Sequence, residues 1–421
     1  MGAETVSVRC CIAGGGPAGM MLGLLMARAG VDVLVLEKRA DFLRDFRGDT
    51  IHPSTLEVMH ELGVLERLLT LPHQKVPRIN GQFGDLALTV ADFSSLSTQC
   101  RFVAFMPQWD FLNFLAEEAA RYSTFQLRMQ ADVTGLIEEA GSVVGLRANT
   151  PDGLLEVRAS LVVGADGRHS TVRSQAGLSV EEFGAPMDVL WFRLPRRPSD
   201  PGDPVGRFDA GRIFILLNRG DYWQCGFVIP KGSRDQLQGR GLPAFRDAVA
   251  QLAPFMADRV GELHDWEPIK LLTVQVDRLR QWYRPGLLCI GDAAHAMSPV
   301  GGVGINLAIK DAVATANLLT TPLRARRLTT RDLQLVQQRR EWPTRMTQRV
   351  QLAIQNRVIR RVLSGTGRLS PPFAVRLIAR FPFLCRIPGR MIGLGFRPEH
   401  VHTSAAETAP AVGRLEGGKT A

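Results

Sequence analysis

The sequence predicts an α/β protein in which a parallel, Rossmann-like sheet is interwoven with a second, antiparallel sheet and followed by C-terminal helices. Three observations carry this. The first 37 residues read strand, glycine turn, helix, strand; residues 181–280 turn to alternating apolar and polar segments; residues 321–400 are helical and rich in arginine. At 421 residues the chain exceeds one ordinary core and fits two or three interwoven domains.

The opening strand is supplied by Val6, Val8 and Ile12, and the apolar run from Ala18 to Ala29 reads as a buried helix that Gly30 ends. "VDVLVLE" then has the β-branched composition of a strand buried on both faces, so the unit is a right-handed parallel crossover. Pro53 opens a helix over 53–70, and "WDFLNFLAEEAARYS" forms an amphipathic one over 109–123. Short strands between 127 and 163 end in "LVVGADG". In 181–280, "GRIFILLNRGDYWQCGFVIP" alternates as antiparallel sheet does. "GLLCIGDAA" returns to a buried strand, a helix follows to about residue 319, and helical sequence continues to about 400. The predicted organisation is one discontinuous domain from 1–75, 100–180 and 275–325, and a β-sheet domain from 76–99 and 181–274. A basic helical segment over 326–400 and a disordered tail over 401–421 complete it.

Composition is that of a globular chain, 45% hydrophobic and 22% charged. The net charge of +10 is not spread evenly: residues 321–400 hold 17 Arg, no Lys and 3 acidic residues, so the remainder sums to −4. The basicity belongs to one segment, and no nucleic-acid partner is expected. The six cysteines show no CxxC spacing and read as small buried hydrophobes in a reducing compartment, with no metal site. There is no signal peptide, Val6 stands where a myristoylation signal wants Ser or Thr, and no uncharged run spans a bilayer. A cytoplasmic protein is expected.

Gly14, Gly16 and Gly19 form GxGxxG directly between a strand and a helix. The first permits a tight turn, the second lets backbone approach a pyrophosphate, and the third lets helix pack on strand; the phosphate charge then rests on the helix N-terminus. Glu37, 18 residues beyond Gly19 at the end of the second strand, is placed to accept from a ribose hydroxyl. The motif alone does not separate NAD from FAD. Two later segments do: "LVVGADGRHSTVR", with Asp166 ending a strand and Ser170 capping a helix, and "GDAAHAMSPVGGVGINLAIKDA", which sets Asp292 before a glycine-rich helix start.

Taken in order, GGGPAG at 14–19, GADG at 164–167 and GDAAH…P…G.G.N at 291–306 closely resemble the flavin-dependent aromatic hydroxylases of the para-hydroxybenzoate hydroxylase type. The resemblance spans roughly residues 5–320 and implies a Rossmann-like FAD-binding domain. It further implies non-covalent FAD, NADH or NADPH as co-substrate, and O2. The implied activity is hydroxylation of an aromatic or lipophilic small molecule through a flavin C4a-hydroperoxide, the flavin itself carrying the chemistry. By resemblance Asp292 binds the ribityl chain, Ile305 and Asn306 meet the flavin edge through backbone beside Gly302 and Gly304, and Pro299 borders the oxygen side. Arg47 and Gln108 match flavin-contacting residues, and Pro17, Ala18, Lys38 and Val133 complete the implied cofactor contacts. Asp166 either touches the cofactor or organises its turn. His295 and His52 read as packing and hydrogen-bonding residues. The phenol-activating tyrosine pair of para-hydroxybenzoate hydroxylase has no match among Tyr122, Tyr222 and Tyr283.

Related activities on this scaffold are an isoprenoid-type reductase, a flavin halogenase and a non-catalytic flavin-binding protein. The halogenase signature WxWxIP is poorly matched by "CGFVIP" at 225–230. Phe214, Trp223 and Phe227 are expected to line the substrate pocket from the second sheet. Residues 371–396 combine apolar side chains with Arg376, Arg380, Arg386 and Arg390, broken by Pro382 and Pro388. They read either as a packed cap or as a peripheral membrane contact.

Overall fold

The computed structural model describes residues 4–43, 50–202, 205–365 and 371–406. The strand Glu4–Ala13 runs parallel to Val33–Leu36 on one side and to Gly153–Gly164 on the other. Phe125–Arg128 and Leu287–Cys289 extend the parallel set outward; with Tyr283–Arg284 antiparallel at the edge and an antiparallel hairpin, Asp132–Glu139 and Ser142–Thr150, attached to Gly153–Gly164, the sheet has eight strands. Cys10, Cys11, Ile12 and Ala13 are wholly buried, as an apolar run with parallel neighbours on both sides requires. The register pairs Ala13 with Leu36 and with Gly164, and Gly164 with Cys289. Four strands therefore end side by side, and the motifs that follow them meet at one carboxyl edge. Helix Pro17–Arg28 packs against both Gln108–Ala119 and Gly304–Arg324 beside this sheet.

The helix expected over 53–70 is two, Pro53–Glu61 and Leu65–Leu68, because Gly63 at φ +73° turns the chain between them. Residues 401–406, expected to begin a disordered tail, are instead tied down. Val401 N donates to Glu61 Oε2 at 2.7 Å, Arg28 Nη1 to Thr403 O at 2.6 Å, and Ala406 N to Arg28 O at 2.8 Å. Backbone that finds such partners gains order that composition alone does not reveal; residues 407–421 lie outside the described residues. All six cysteines are free and buried, and burial pushes the Cys10 thiol up to about 12, so it is inert.

A second sheet takes seven strands in the order Lys270–Leu272, Met187–Pro195, Tyr222–Pro230, Arg212–Asn218, Val205–Asp209, Arg78–Phe83, Leu86–Asp92. It is antiparallel except where Val205–Asp209 runs parallel to Arg78–Phe83, the junction at which the two sequence segments join. Alternation divides its side chains between two cores. Leu190, Phe192, Phe214, Trp223, Cys225 and Phe227 pack under helix Leu242–Leu252. Val189, Ile213 and Val228 point to the other face, where Trp191, Ile215 and Val300 join them. The first core is locked by Asp200, which takes both Arg259 Nη1 and Nη2 (2.8 and 2.9 Å) and Trp223 Nε1 (2.9 Å) in a buried site.

Candidate flavin site

At the shared carboxyl edge, Gly14 adopts φ +104°, and a Cβ there would stand 2.4 Å from Ala165 O. A Cβ on Gly19 would meet Gly14 O at 1.9 Å, whereas one on Gly16 would meet nothing within 4 Å. Two glycines thus serve the protein's own packing, and the third leaves backbone open to a ligand. Helix Pro17–Arg28 starts there with no side-chain cap and Pro17 in its first turn, so its N-terminal charge faces that open space. Ala18 is buried behind it. Glu37 is buried and accepts from Gly15 N at 2.9 Å and from Arg39 N at 3.0 Å, so the acidic residue also fixes the glycine turn. Lys38 is exposed beside it, Val133 is buried on the hairpin, and Gln108 is buried at the first turn of its helix. Arg47 lies outside the described residues.

Asp166 accepts from Ser170 Oγ at 2.5 Å and from Val172 N at 3.1 Å, while Ser170 Oγ accepts from Arg173 N at 2.9 Å. Burial raises its carboxyl above the ordinary range against the pull of those donors. Of the two roles open to Asp166, its contacts are those of a residue that organises the turn and caps the next helix.

Asp292 follows Leu287–Cys289 in a short 3-10 turn, with Gly291 at φ +59°, and keeps a third of its side chain exposed. Arg168 Nε donates to Asp292 Oδ2 at 3.1 Å. Past it, Pro299 precedes a 3-10 turn, Val300–Gly302, in which Gly301 and Gly302 adopt φ +79° and +63°. A Cβ on Gly302 would stand 2.5 Å from Thr50 Oγ1; one on Gly304 would meet nothing within 4 Å. Helix Gly304–Arg324 begins there, again without a side-chain cap. Ile305 is buried in its first turn. The Asn306 side chain is fully engaged: Oδ1 accepts from His52 N and Thr55 Oγ1, both 2.8 Å, and Nδ2 donates to Thr50 O at 3.0 Å. Asn306 can therefore meet a ligand only through its backbone.

Behind this loop lies a polar network that sequence reasoning missed. Asp311 accepts from Gly291 N (3.1 Å) and Arg340 Nε (2.9 Å) and lies 2.6 Å from His295 Nε2, with no exposed surface. Burial opposes its charge, but His295 and Arg340 prevail and hold its carboxyl below the ordinary range. Arg340 also donates to Glu399 Oε1 at 3.1 Å. On the same C-terminal helix, Thr330–Ile354, Gln351 Nε2 donates to Ser298 O (2.9 Å) and Val300 O (2.8 Å). Gln348 Nε2 donates to Ala296 O at 3.2 Å, and beyond the helix Gln355 Nε2 donates to Ser298 Oγ at 2.6 Å. The basic segment thus straps the glycine loop from outside.

His52 is buried, and its Nδ1–H donates to Ile392 O at 2.8 Å; burial pushes its pKa down to about 4. An unfolded histidine takes up its proton near 6.5, the native one only near 4. Stability held above pH 6.5 is therefore lost as pH falls through this window, by roughly 3 kcal/mol when both states are protonated. His52→Gln, which keeps an N–H donor, should flatten the fall in urea midpoint between pH 6.5 and 4; an unchanged fall would assign the acid sensitivity elsewhere.

Phe214, Trp223 and Phe227, expected in the substrate pocket, are sealed in the core beneath helix Leu242–Leu252. One residue along each strand, side chains turn to the opposite face, where Val300 of the glycine loop and Ile359 and Val362 of the C-terminal segment pack. There Trp191 lies over Gly226, whose Cβ would stand 2.9 Å from the indole, and its buried Nε1 has no hydrogen-bond partner among the described residues. Among the described residues no group of three His, Cys, Asp or Glu could hold a metal ion, and no helix is long and apolar enough to cross a membrane.

The site fits FAD on its own geometry. It offers two uncapped helix N-termini, open space beside the backbone at Gly16 and Gly304, and the carboxylates Glu37 and Asp292. Comparison with known proteins agrees. The chain is 34% identical over 377 residues to a 6-methylpretetramide 4-monooxygenase of Streptomyces rimosus, covering 88% of this chain and 89% of that one. It is 30% identical to a 12-dehydrotetracycline 5-monooxygenase/anhydrotetracycline 6-monooxygenase of the same species, across 72% of this chain and 60% of that protein's length. In fold it is similar to p-nitrophenol 4-monooxygenase PnpA of Pseudomonas putida DLL-E4, with a TM-score of 0.72 at 20% identity over 92% of this chain and 95% of that one. Residues 7–350 match the family described as "FAD binding domain", and the chain belongs to that family, among the FAD-dependent aromatic hydroxylases.

Proposed function

We propose that this FAD-dependent monooxygenase draws its electrons from NADH or NADPH and hydroxylates an aromatic polyketide or a similarly lipophilic ring system. The observation that carries the reading is the meeting, at one sheet edge, of the Gly14–Gly19 turn, Glu37, Asp292 and the open start of helix Gly304–Arg324. The long match to a monooxygenase that acts on 6-methylpretetramide supports the substrate class.

When bound, FAD supplies the redox chemistry, accepting two electrons and activating O2 so that one oxygen atom enters the ring and the other leaves as water. The protein's part is binding and orientation. The N-terminus of helix Pro17–Arg28 would hold the pyrophosphate, Glu37 the ribose and Asp292 the polyol chain. The uncapped start of Gly304–Arg324 favours negative charge beside it, so the loop would hold a bound flavin whose ring system gains negative charge on reduction. Arg168 orients Asp292, and Asn306 with Thr50 holds the loop against the 50–55 segment. The second sheet would cover the substrate with the face bearing Trp191 and Ile215, excluding water.

NADH and NADPH consumption should rise when the right aromatic is added, with hydroxylated product formed in step. Consumption unchanged across a panel of polycyclic phenols, or peroxide as the only product, would count against the reading. Trp191→Ala should lower kcat/KM about tenfold, chiefly through KM, as loss of one aromatic stacking partner implies. An unaffected KM would move the pocket away from this face.

A further inference from the structure

Five of the large apolar side chains exposed among the described residues fall within fifteen positions: Phe373, Leu377, Phe381, Phe383 and Ile387. Helix Phe373–Arg380 buries none of its residues, and Phe373, Phe383 and Ile387 are 72%, 64% and 58% exposed. Phe373, Leu377 and Phe381 follow one another at helical spacing, with Arg376 and Arg380 on the adjoining face. Arg386 and Arg390 continue the charge, all four arginines are exposed, and no acidic residue occurs between Pro371 and Pro398. None of the four has an ion-pair partner among the described residues.

The patch is not loose. Helix Arg386–Gly393 lies against strand Leu86–Asp92, so closely that a Cβ on Gly389 would stand 2.1 Å from Asp92 O. Ile392 O holds the His52 ring, Leu394 O takes Lys310 Nζ at 2.6 Å, and Ile392 reaches within 3.7 Å of where a Gly301 Cβ would be. The exposed face is thus rigidly mounted beside the glycine loop of the flavin site.

We propose that residues 373–390 are a docking face for an anionic lipid bilayer. Apolar side chains flanked by unpaired arginines, on short elements too polar and too broken to cross a membrane, match what an interfacial anchor requires. The arginines meet lipid phosphate and the phenylalanines enter the headgroup boundary. A second copy of the chain fits poorly, because face-to-face contact would bring eight arginines together with no carboxylate between them. Docking at this face does not depend on the proposed substrate.

Flotation of the FAD-loaded full chain tests this. The protein should rise with vesicles of equal parts phosphatidylglycerol and phosphatidylcholine at low salt and not with pure phosphatidylcholine. Replacing Arg376, Arg380, Arg386 and Arg390 by Gln should cut the floating fraction more than tenfold, with flavin content and NAD(P)H oxidation unchanged. Phe373→Ser with Phe383→Ser should abolish whatever binding survives at high salt. Wild-type protein that never floats, or an arginine-free variant that floats equally well, would overturn the proposal. So would a wild-type dimer that Phe373→Ser and Phe383→Ser convert to monomer, or tight binding to an acidic protein without binding to vesicles.

Discussion

Asp292→Ala is expected to leave the protein folded but nearly colourless. The carboxylate is partly exposed, and its one side-chain partner among the described residues, Arg168, is itself partly exposed, so the fold loses little. The ligand loses a charge-assisted acceptor, a contact of about 1.5–3 kcal/mol, or roughly ten- to a hundred-fold in FAD affinity. Flavin released by acid from purified protein, set against an unchanged urea midpoint of the apoprotein, reads both halves. A full flavin complement in Asp292→Ala would place the ribityl chain elsewhere. Asp292→Asn, which keeps an acceptor oxygen, should fall between wild type and Ala.

Asp311→Ala has the opposite signature, a large loss of stability that drags flavin binding with it. Its carboxylate sits without exposed surface between Gly291 N, His295 and Arg340, and Arg340 is itself wholly buried. Removing the acid leaves a guanidinium inside the protein with Glu399 as its remaining carboxylate. Breaking one side of a buried pair costs about 3–5 kcal/mol, far more than an intact pair contributes. The urea midpoint should drop accordingly, and because Gly291 N loses its acceptor next to Asp292, the remaining folded protein should bind FAD more weakly. Arg340→Met together with Asp311→Leu, which removes both charges, should recover much of the stability. A double variant as unstable as Asp311→Ala would show that charge burial is not the cause.

What the sequence made legible was local. Gly14, Gly16 and Gly19 could be assigned separate duties because each answers to a constraint within a few residues of strand, turn or helix, and the backbone around them matches those duties. Asp292 and the glycines after it were legible for the same reason. Residues whose partners lie far along the chain were not. Arg168 meets Asp292 across 124 positions, and Gln351 reaches Ser298 across 53. In a linear reading both are an ordinary arginine and an ordinary glutamine on a polar helix. The aromatic residues of the second sheet were illegible for another reason. Tyr222–Pro230 places Trp223, Cys225 and Phe227 on one side and Gln224, Gly226 and Val228 on the other, and the large aromatic residues expected to meet substrate are buried in the core. The strand needs its bulk where helix Leu242–Leu252 covers it; opposite, Gly226 is small because the Trp191 indole lies on it. In this strand, side-chain size follows core packing.

Under the proposed function, a flavin held at the sheet edge by Glu37, Asp292 and two open helix starts inserts oxygen from O2 into an aromatic substrate. Turnover under 18O-labelled O2, with NADPH and a panel of pretetramide-like polycyclic phenols, tests it most directly. One labelled oxygen per hydroxylated product, with one NAD(P)H consumed, is the predicted result. Product oxygen drawn from water, or product formed equally well without O2, would contradict it.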